Sequence, residues 1–354
     1  MSGTSLDGID AVLVDFSPAP AVRATHYLPY TDDMRQQILL LQERRQDELH
    51  SAQMLAQRLA QAYAQAVHEL LAGAGVSATA VRAIGCHGQT VRHEPALGYS
   101  LQLNSPALLA ELTNIAVVAD FRSRDIAAGG QGAPLVPAFH DALFRHGERH
   151  RVVLNVGGIA NLTDLAPGHA VSGFDCGPGN MLLDAWCQAR LGKAYDEGGG
   201  WAASGAVLPG LLERLLGHEF FAQRPPKSCG REQFNLAWLS SCLDGGEASA
   251  DVQATLLELT AVSVQRSLAH ARGVPNEIYL CGGGAHNLAL QRRLQALLPQ
   301  TRLATTDALG IAADWVEAVA FAWLAYRRLE GLPGNLPEVT GARGARVLGA
   351  IYPA

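Results

Sequence analysis

The sequence predicts a mixed α/β protein that folds as two lobes. Its 354 residues suit two domains better than one small domain. Short apolar segments typical of strands alternate with longer segments of helical periodicity, as in proteins whose helices pack on sheets. A glycine turn beside a strand occurs near the N-terminus and again near the middle of the chain, which indicates two related lobes.

The first half of the chain alternates strands with helical regions. A helical region is expected from Thr31, and Gly73 and Gly75 are typical stop signals for it. Ser105 and Pro106 are residue types typical of an N-cap and a first helical position, so a helix is expected there. Strands are predicted at Ile9–Phe16, Ala80–Cys86, Leu101–Leu103 and Ile115–Ala119.

The second half restarts the alternation. Strands are predicted at Arg151–Val156, Ile159–Leu165, Val171–Phe174, Glu277–Leu280 and Arg346–Ile351. Helices are predicted from Met181 and at about Val252–Arg272, Leu288–Leu298 and Trp315–Glu330. We expect residues 1–127 with about 336–354 to form the N-terminal lobe, and residues 128–335 to form the C-terminal lobe.

Composition excludes several classes of protein. The net charge is −6, and no Lys/Arg block of the kind that binds nucleic acid occurs. No apolar run approaches the roughly 20 residues of a membrane span. The six cysteines are scattered and form no CxxC motif. We therefore expect a cytoplasmic protein with reduced thiols, and neither nucleic acid nor membrane as a partner.

Three glycine-rich turns are predicted at strand ends: Gly3–Gly8, Gly157-Gly158 and Gly282–Gly284. Glycine lets the main chain approach a ligand and direct several N–H groups at one phosphate. Any one such turn is more often an ordinary turn, but three of them favour a nucleotide site. Neither a GxxxxGK[ST] motif nor a complete GxGxxG motif occurs, so the P-loop and dinucleotide folds do not fit.

Seven segments spread over nearly the whole chain resemble, in order, the motifs of the anhydro-N-acetylmuramic acid kinase family. Any one segment alone would be weak support, but their common order makes the resemblance specific. The segments are Met1–Asp10 (MSGTSLDGID), Gly85–Thr90 (GCHGQT), Asp120–Arg122 (DFR), Gly129–Leu135 (GGQGAPL), Leu154–Asn161 (LNVGGIAN), Phe174–Asn180 (FDCGPGN) and Cys281–Ala285 (CGGGA).

The resemblance implies a fold, a reaction and cofactors. The fold is the two-lobe actin-like ATPase (ribonuclease H-like) fold of sugar kinases, with the active site in the cleft between the lobes. The enzyme would use ATP and Mg²⁺ to open 1,6-anhydro-N-acetylmuramic acid with water and to phosphorylate O6, in cell-wall recycling. It would act as a homodimer on this small sugar. The Mg²⁺ ligands are not fixed by the sequence.

The resemblance also assigns residue roles. Asp175 would be the general base that takes a proton from water, although a turn-capping carboxylate is an equal alternative on position alone. Gly157 and Gly158 would contact the phosphates, and Gly282, Gly283, Gly284 and Ala285 the adenosine. Gly177 would also belong to the nucleotide site. The first phosphate turn would consist of Gly3, Thr4, Ser5, Leu6, Asp7, Gly8, Ile9 and Asp10.

The sugar would be bound by His87, Asp120, Arg122 and Glu317. Each has a plainer alternative. A lone histidine is more often structural, and Arg122 could simply pair with Asp125 on the surface. Glu317 could belong to a capping box with Asp314.

Two other functions remain possible on the sequence, and the N-terminal hairpin is expected to be a weak point of the fold. The chain could be a plain hexosamine kinase, or a nucleotide-switched assembly protein of the same superfamily. The family has several residues before the segment that begins here at Met1. We therefore expect either that the native start lies upstream or that this lobe is locally weak, because its first hairpin lacks one arm and its phosphate turn loses support.

Overall fold

The computed structural model describes residues 1–3, 6–43 and 46–354. It divides into two compact units, Met1–Phe139 with Trp315–Ala354 and His140–Asp314. Both units combine helices with sheets, so the predicted α/β class is confirmed. The bounds differ from the predicted lobes, because the chain returns to the first unit at residue 315 and not at about 336.

Strands occur throughout both units. Those of the described residues are β1 (Gly8–Asp15), β2 (Ala21–Pro29), β3 (Ile84–Gly85), β4 (Gln89–Glu94), β5 (Tyr99–Leu103), β6 (Val117–Ala119), β7 (Arg151–Val156), β8 (Ile159–Leu165), β9 (Ser172–Pro178), β10 (Glu277–Cys281), β11 (Arg302–Thr305) and β12 (Ala350–Tyr352).

Helices lie between the strands. Those of the described residues are α1 (Asp32–Gln42), α2 (Glu48–Ala74), α3 (Pro106–Thr113), α4 (Ser123–Ala127), α5 (Val136–Phe144), α6 (Met181–Leu191), α7 (Gly200–Ser204), α8 (Pro209–Leu216), α9 (Leu236–Cys242), α10 (Ser249–Ser267), α11 (Leu288–Leu297), α12 (Val316–Leu329) and α13 (Pro337–Thr340). Within the described ranges, no helix combines the length and the apolar character that crossing a membrane requires.

The first unit contains several small sheets. Strands β1 and β2 form an antiparallel hairpin, β4 and β5 form another, and β6 lies between β12 and β3. On the other edge of β1, Met1 and Asp10 exchange two main-chain hydrogen bonds of 2.6 and 2.8 Å. A cavity of ≈ 480 Å³, walled mainly by aliphatic side chains of β1, α2 and α12, lies beside this edge.

The second unit is built on one five-stranded sheet with the strand order β11-β10-β7-β8-β9. Strands β7, β8 and β9 form an antiparallel meander, while β10 runs parallel to β7 and β11 parallel to β10. Three antiparallel strands followed by two parallel ones is the arrangement expected of a ribonuclease H-like lobe. Helix α10 packs in the core of this unit and is buried along most of its length.

The chain returns to the first unit at residue 315 because helix α12 packs on residues of that unit. Its side chain Phe321 packs on the rings of His87 and Phe121, with ring centroids 4.5 and 5.5 Å away. The glycine at position 85 lets β3 approach this helix, because a Cβ there would collide with the main chain of Phe321. The contacts that fix α12 are therefore with residues of the first half of the chain.

Several predicted elements have different bounds in the structure. The segment Ala80–Cys86 is mostly irregular and contributes only the two residues of β3, and the last strand is β12 and not Arg346–Ile351. The helical region from Thr31 divides into α1 and α2. Strand β2 was not predicted, because its alternation of half-buried and exposed residues gives a weak apolar pattern. It supplies the arm that pairs with β1.

Candidate active site

Two glycine turns meet at one edge of the sheet in the second unit. Strands β7 and β10 are parallel and pair through Asn155 and Cys281, so their carboxyl ends lie side by side. The turn Gly157-Gly158 follows β7, and the turn Gly282–Gly284 follows β10. Open α/β sheets commonly bind ligands beyond the carboxyl ends of their strands.

The turn after β10 needs glycine for packing. Gly282 has a φ of 76°, and a Cβ there would collide with the side chain of Asn155. A Cβ on Gly284 would collide with the side chain of Val156. Gly283 is exposed, and Ala285 is buried in the short 3₁₀ helix Gly283–His286. Close packing on the end of β7 therefore fixes this turn.

The turn after β7 is different, because its glycines have space around them. Both are half-buried, and a Cβ on Gly157 or Gly158 would have its nearest neighbour at 3.7 or 3.8 Å, an ordinary contact. Neither has a positive φ. Since protein packing does not require glycine here, close approach of a ligand to the main chain is the physical reason that remains.

Helix α6 begins beside this turn. The N–H groups of Gly179 and Asn180 donate to the carbonyls of Gly158 and Gly157, at 2.9 and 2.8 Å. The side chain of Asn180 donates to the carbonyl of Val156 at 3.1 Å. The N–H of Met181, the first residue of α6, also donates to the carbonyl of Gly158 at 3.1 Å. The N-terminus of α6 is thereby held next to the glycine turn, and the helix dipole favours an anion there.

Gly177 has a structural role. It is buried in β9 with a φ of 142°, and a Cβ there would collide with the ring of Phe221. Positive φ and close packing account for this glycine without a ligand.

Asp175 lies inside β9 and not just beyond a strand as the sequence suggested. It pairs with Asn161 of β8, while Gly177 pairs with Ala160, so Cys176 is the extra residue of a β-bulge. The strand continues through this bulge to Pro178. About three extended residues, roughly 10 Å, therefore separate the carboxylate from the turn end of the sheet.

The carboxylate of Asp175 is half-buried and held by a neighbouring loop. Its Oδ2 accepts from the N–H of Cys229 at 3.0 Å, and its own N–H donates to the carbonyl of Lys227 at 3.2 Å. Burial raises the pKa of Asp175 to about 6, although the Cys229 N–H and the Lys227 charge oppose the rise. The group is mostly ionised at pH 7 and is basic enough to accept a proton.

In the first unit the N-terminal turn contacts the segment after β3. The side chain of Gln89 donates to the carbonyl of Gly3 at 3.2 Å, and the hydroxyl of Ser2 contacts Gly88 O and Tyr63 Oη at 3.2 and 2.9 Å. Ser2 is buried and its hydroxyl is occupied by these contacts, so it is not available to a phosphate. Thr4 and Ser5, two predicted phosphate contacts, lie outside the described residues.

The rest of this turn is shaped by its own main chain. Leu6 has a φ of 59° and is buried, and its carbonyl accepts from Nε of Arg35 at 2.9 Å. The carboxylate of Asp7 accepts from the N–H of Gly8 at 3.0 Å. Gly8 and Ile9 are buried in β1, whereas Asp10 is half-buried and Asp7 exposed. Among the described residues of this segment, the two carboxylates are therefore accessible side-chain groups.

The side chains of His87 and Arg122 are hydrogen-bonded to each other. An Nη atom of Arg122 donates to Nε2 of His87 at 2.8 Å, and the other Nη donates to the carbonyl of Gly132 at 2.7 Å. Burial, together with the Arg122 charge, lowers the pKa of His87 well below its usual value. The imidazole is thus neutral and accepts, and its role is to hold the guanidinium.

Arg122 can still bind a ligand. Its Nε is buried without a hydrogen-bond partner among residues 1–3, 6–43 and 46–354. Burial lowers the pKa of Arg122 to about 10, opposed by Glu317 and Asp125, so the group remains charged at pH 7. A guanidinium that is held at both Nη atoms is pre-oriented for a carboxylate.

The predicted surface pairing of Arg122 with Asp125 is wrong. Asp125 is buried, and its carboxylate accepts from the N–H of Gly132 and the side chains of Asn335 and Thr340, at 2.6 to 2.8 Å. These bonds fix the glycine-rich loop whose carbonyl in turn holds Arg122.

Asp120 lies directly after β6 as predicted, with a φ of 56°. Its side chain is exposed, and Oδ1 accepts from both the N–H and the hydroxyl of Ser123 at the start of α4. One carboxylate oxygen thus has a structural function.

Glu317 lies in the first turn of α12 and is exposed. The predicted capping box is wrong, because the carboxylate of Asp314 binds Nε2 of His286 at 2.8 and 2.9 Å and Trp315 is the N-cap. Desolvation by the surrounding protein raises the pKa of Glu317, while the charge of Arg122 lowers it. Its electrostatic coupling to Arg122 links two of the predicted sugar-binding residues.

The residues that position the predicted site residues were not identified from the sequence. Asn155 and Asn180 shape the glycine turns, and Lys227 and Cys229 hold Asp175. For Lys227 the composition offers a signal, because Lys193 and Lys227 are the only lysines among the 27 Lys and Arg residues.

The described residues show no cluster of three or more His, Cys, Asp and Glu side chains able to hold a metal ion. The ≈ 480 Å³ cavity of the first unit is lined by neither Arg122 nor Glu317, and it is mostly apolar. The candidate groups of the first unit are therefore Asp120, Arg122 and Glu317, and not this cavity. Those of the second unit are its glycine turns and Asp175.

Comparison with known proteins decides the family. The model of the family described as anhydro-N-acetylmuramic acid kinase matches residues 1–354. The chain belongs to the anhydro-N-acetylmuramic acid kinase family. A protein of Nitrosomonas europaea named anhydro-N-acetylmuramic acid kinase is 57% identical over 357 residues, covering 100% of this chain and 98% of that protein. A protein of the same name from Pseudomonas paraeruginosa is 56% identical, with the same coverage.

Solved structures give more distant likenesses for this member of the anhydro-N-acetylmuramic acid kinase family. It is similar to a chain of a PilM–PilN type IV pilus biogenesis complex, at 14% identity and a TM-score of 0.44, over 90% of this chain and 95% of that chain. It is also similar to a ROK hexokinase from Thermus thermophilus, at 16% identity and a TM-score of 0.32, over 86% and 97% of the two chains.

Proposed function

We propose that this chain is an ATP-dependent kinase that opens 1,6-anhydro-N-acetylmuramic acid with water and phosphorylates O6. The products are N-acetylmuramic acid 6-phosphate and ADP. The observation that carries the proposal is Asp175, a half-buried carboxylate with a pKa of about 6 in the same sheet as two glycine turns. Membership of the family supplies the identity of the sugar.

Asp175 acts as the general base. It accepts a proton from a water molecule whose oxygen bonds to the anomeric carbon, and the bond between that carbon and O6 breaks. The electron pair left on O6 attacks the γ-phosphorus of ATP, the bond from that phosphorus to the bridging oxygen breaks, and ADP leaves. The proton on Asp175 then passes to solvent. One base therefore serves both events, and the other groups position substrates and neutralise charge.

The nucleotide is bound by the glycine turns. Gly157 and Gly158 have open space where a Cβ would stand, and the N-terminus of α6 lies beside them, which suits the phosphates. The exposed Gly283 and the turn around it suit the adenosine. We also assign the accessible part of Gly3–Asp10 to the phosphates.

The sugar is bound by groups of the first unit. The buried Nε of Arg122, aligned by His87 and Gly132, is matched to the lactyl carboxylate of a muramic sugar. Asp120 and Glu317 have exposed carboxylates that can accept from sugar hydroxyls or the amide. The role of His87 in this proposal is to hold Arg122.

Mg²⁺ fits this site only as an ion held mainly by the triphosphate and water, because the described residues offer no cage of ligands. Asp7 and Asp10, the accessible carboxylates of the first turn, would orient its water ligands. When bound, the ion neutralises phosphate charge.

The test is a coupled ADP-release assay with 1,6-anhydro-N-acetylmuramic acid in ¹⁸O-labelled water, followed by mass spectrometry. The proposal predicts one labelled oxygen in the sugar and none in the phosphate. N-acetylglucosamine is the comparison acceptor, and a reaction without sugar measures free ATP hydrolysis. Turnover of N-acetylglucosamine alone, or an equal rate without any sugar, would contradict the proposal.

Asp175→Asn is the matching variant. Loss of a general base lowers kcat by about 10² to 10⁴-fold. Nucleotide affinity should stay near that of the unmodified protein, since the base acts on water and not on ATP. Calorimetric titration with a non-hydrolysable ATP analogue checks this, and near-normal turnover of the variant would remove Asp175 from the mechanism.

We further propose a cytoplasmic homodimer. None of the six cysteines forms a disulfide, as is typical of a reducing compartment. The hairpin of β4 and β5 exposes Leu97, Tyr99 and Leu101, which supply apolar surface for self-association. Light scattering after gel filtration should give twice the mass of the 37.5 kDa chain, and a monomer at micromolar concentration would contradict the dimer.

A further inference from the structure

The loop that holds Asp175 contains a buried lysine. Lys227 is 9% exposed, and its ammonium lies 4.4 Å from the ring centroid of Phe220, which is itself 1% exposed. The ammonium donates to the carbonyl of Phe220 at 3.4 Å, a long bond. A strongly hydrated cation is costly to bury unless it interacts with a nearby charge.

The same loop contacts Asp175 through the main chain of two of its residues, Lys227 and Cys229. The carbonyl of Lys227 accepts from Asp175 N–H at 3.2 Å, and the N–H of Cys229 donates to the Asp175 carboxylate at 3.0 Å. The loop segment 227–229 is therefore fixed to β9 by main-chain bonds, and the Lys227 side chain leaves the main chain next to Asp175.

Composition gives an independent indication. The chain uses arginine for nearly all of its basic residues, and only Lys193 and Lys227 are lysines. Lys193 is exposed, so Lys227 is the buried one. Lysine differs from arginine in being a compact point charge, which suits a closed space against an aromatic ring.

We propose that Lys227 is a positioning residue for the general base, whose buried ammonium keeps the Asp175 carboxylate ionised and ready to accept a proton from water. The proposal rests on the function proposed above, because it needs Asp175 to be the base. Lys227 does not touch the reacting atoms. It acts through Asp175 by its charge and through the loop that it anchors.

The other groups that the structure describes next to Asp175 do not supply this charge. The thiols of Cys176 and Cys229 are its titratable neighbours, and burial raises the pKa of both, so both are neutral at pH 7. The partner strand contributes Asn161, which is uncharged. The Lys227 charge lowers the pKa of Asp175 against the rise caused by burial.

The sign of the expected effect follows directly. A base works only when deprotonated, so activity falls as the pH drops through its pKa. Removing the lysine charge raises that pKa and moves the acid limb of kcat/KM to higher pH, by about one pH unit for a nearby opposite charge. Starting from a pKa of about 6, kcat/KM should fall about twofold at pH 7 and up to ~tenfold below pH 6.

The experiment measures kcat/KM for 1,6-anhydro-N-acetylmuramic acid from pH 5 to 9 with Lys227→Met, which keeps an apolar stem on the ring. Lys227→Arg keeps the charge and should leave the acid limb in place, even if turnover falls. Lys193→Met, which changes the exposed lysine, is the matched control and should keep the whole profile. If Lys227→Met does not fold, Lys227→Gln makes the same prediction.

The outcomes separate the two proposals. An acid limb shifted in Lys227→Met and unshifted in Lys227→Arg and Lys193→Met supports the role of Lys227. Reduced activity with an unshifted limb in Lys227→Met means a merely structural lysine and overturns this inference alone. If Asp175→Asn also turns over normally, the proposed function itself fails.

Discussion

The orientation of a charged side chain often depends more on its neighbours in the fold than on its position in the sequence. Arg122 follows β6, as the sequence predicts, but its orientation comes from His87 and the carbonyl of Gly132. That carbonyl is fixed by Asp125, whose partners Asn335 and Thr340 lie more than two hundred residues further along the chain. Sequence reasoning could place Arg122 at a strand end, but it could not find partners so distant in the chain.

We predict that Arg122→Lys weakens binding of the sugar. A single ammonium cannot contact His87 and Gly132 O and also present an oriented donor to a carboxylate. One charged hydrogen bond is worth ≈ 1.5–3 kcal/mol, so kcat/KM for the anhydro sugar should fall about 10 to 100-fold. The KM for ATP should stay nearly unchanged.

Steady-state kinetics with each substrate varied in turn checks the Arg122 prediction. Arg124→Lys, at an exposed arginine two residues away, is the matched control. A normal sugar KM in Arg122→Lys would show that the guanidinium does not contact the substrate.

At the scale of elements, the sequence identified those with strong local patterns. Strands β7 and β8 and the glycine turn between them agree with the predicted bounds, because buried apolar runs flank two consecutive glycines. The β-bulge that keeps Asp175 inside β9 has no local signal, since it arises from pairing with β8. The sequence thus singled out Asp175, but it did not predict that this residue lies inside the strand.

The two glycine turns of the second unit should respond differently to alanine. Gly284→Ala places a methyl group against Val156 and should destabilise the fold by about 1–3 kcal/mol. Gly157→Ala has room, so its melting temperature should stay close to that of the unmodified protein. Its methyl group would stand where the phosphates approach, so the KM for ATP should rise roughly tenfold, a loss of about 1.4 kcal/mol.

Thermal melting and ATP kinetics on both glycine variants test this contrast, each variant serving as the control for the other. An unchanged KM for ATP in Gly157→Ala would argue against phosphate binding at that turn. A melting temperature reduced equally in both would mean that protein packing explains both glycines.

At the scale of the whole molecule, the first unit is assembled from both ends of the chain. Residues 315–354 belong with residues 1–139, and α12 packs on side chains such as His87 and Phe121. The helical pattern of α12 was clear in the sequence, but an apolar stripe does not say which partner covers it. For this reason the helix α12 was predicted from the sequence, but the unit to which it belongs was not.

Stability of the molecule in acid should depend on His140. This histidine is buried, its Nδ1 lies 2.9 Å from the hydroxyl of Thr163, and burial lowers its pKa to about 3. In the unfolded chain the imidazole of His140 binds a proton below about pH 6.5. In the folded chain it binds one only below about pH 3. Stability is therefore fully present above pH 6.5 and is lost as the pH falls, by about 2 kcal/mol at pH 5.

Urea unfolding at pH 7 and pH 5 tests the role of His140. His140→Gln should lose much less stability between these values than the unmodified protein does. His169→Gln, at an exposed histidine of the same unit, should behave like the unmodified protein. An equal pH dependence in the His140 variant would refute the assignment.

The parallel pairing of β7 with β10 has a consequence for biosynthesis. The turn at Gly157 emerges from the ribosome long before Glu277–Cys281, the strand that brings the Gly282 turn beside it. A nascent polypeptide that ends before that strand has only half of this ligand edge. Under the function proposed above, nucleotide can assist maturation of this unit only after most of the message has been translated.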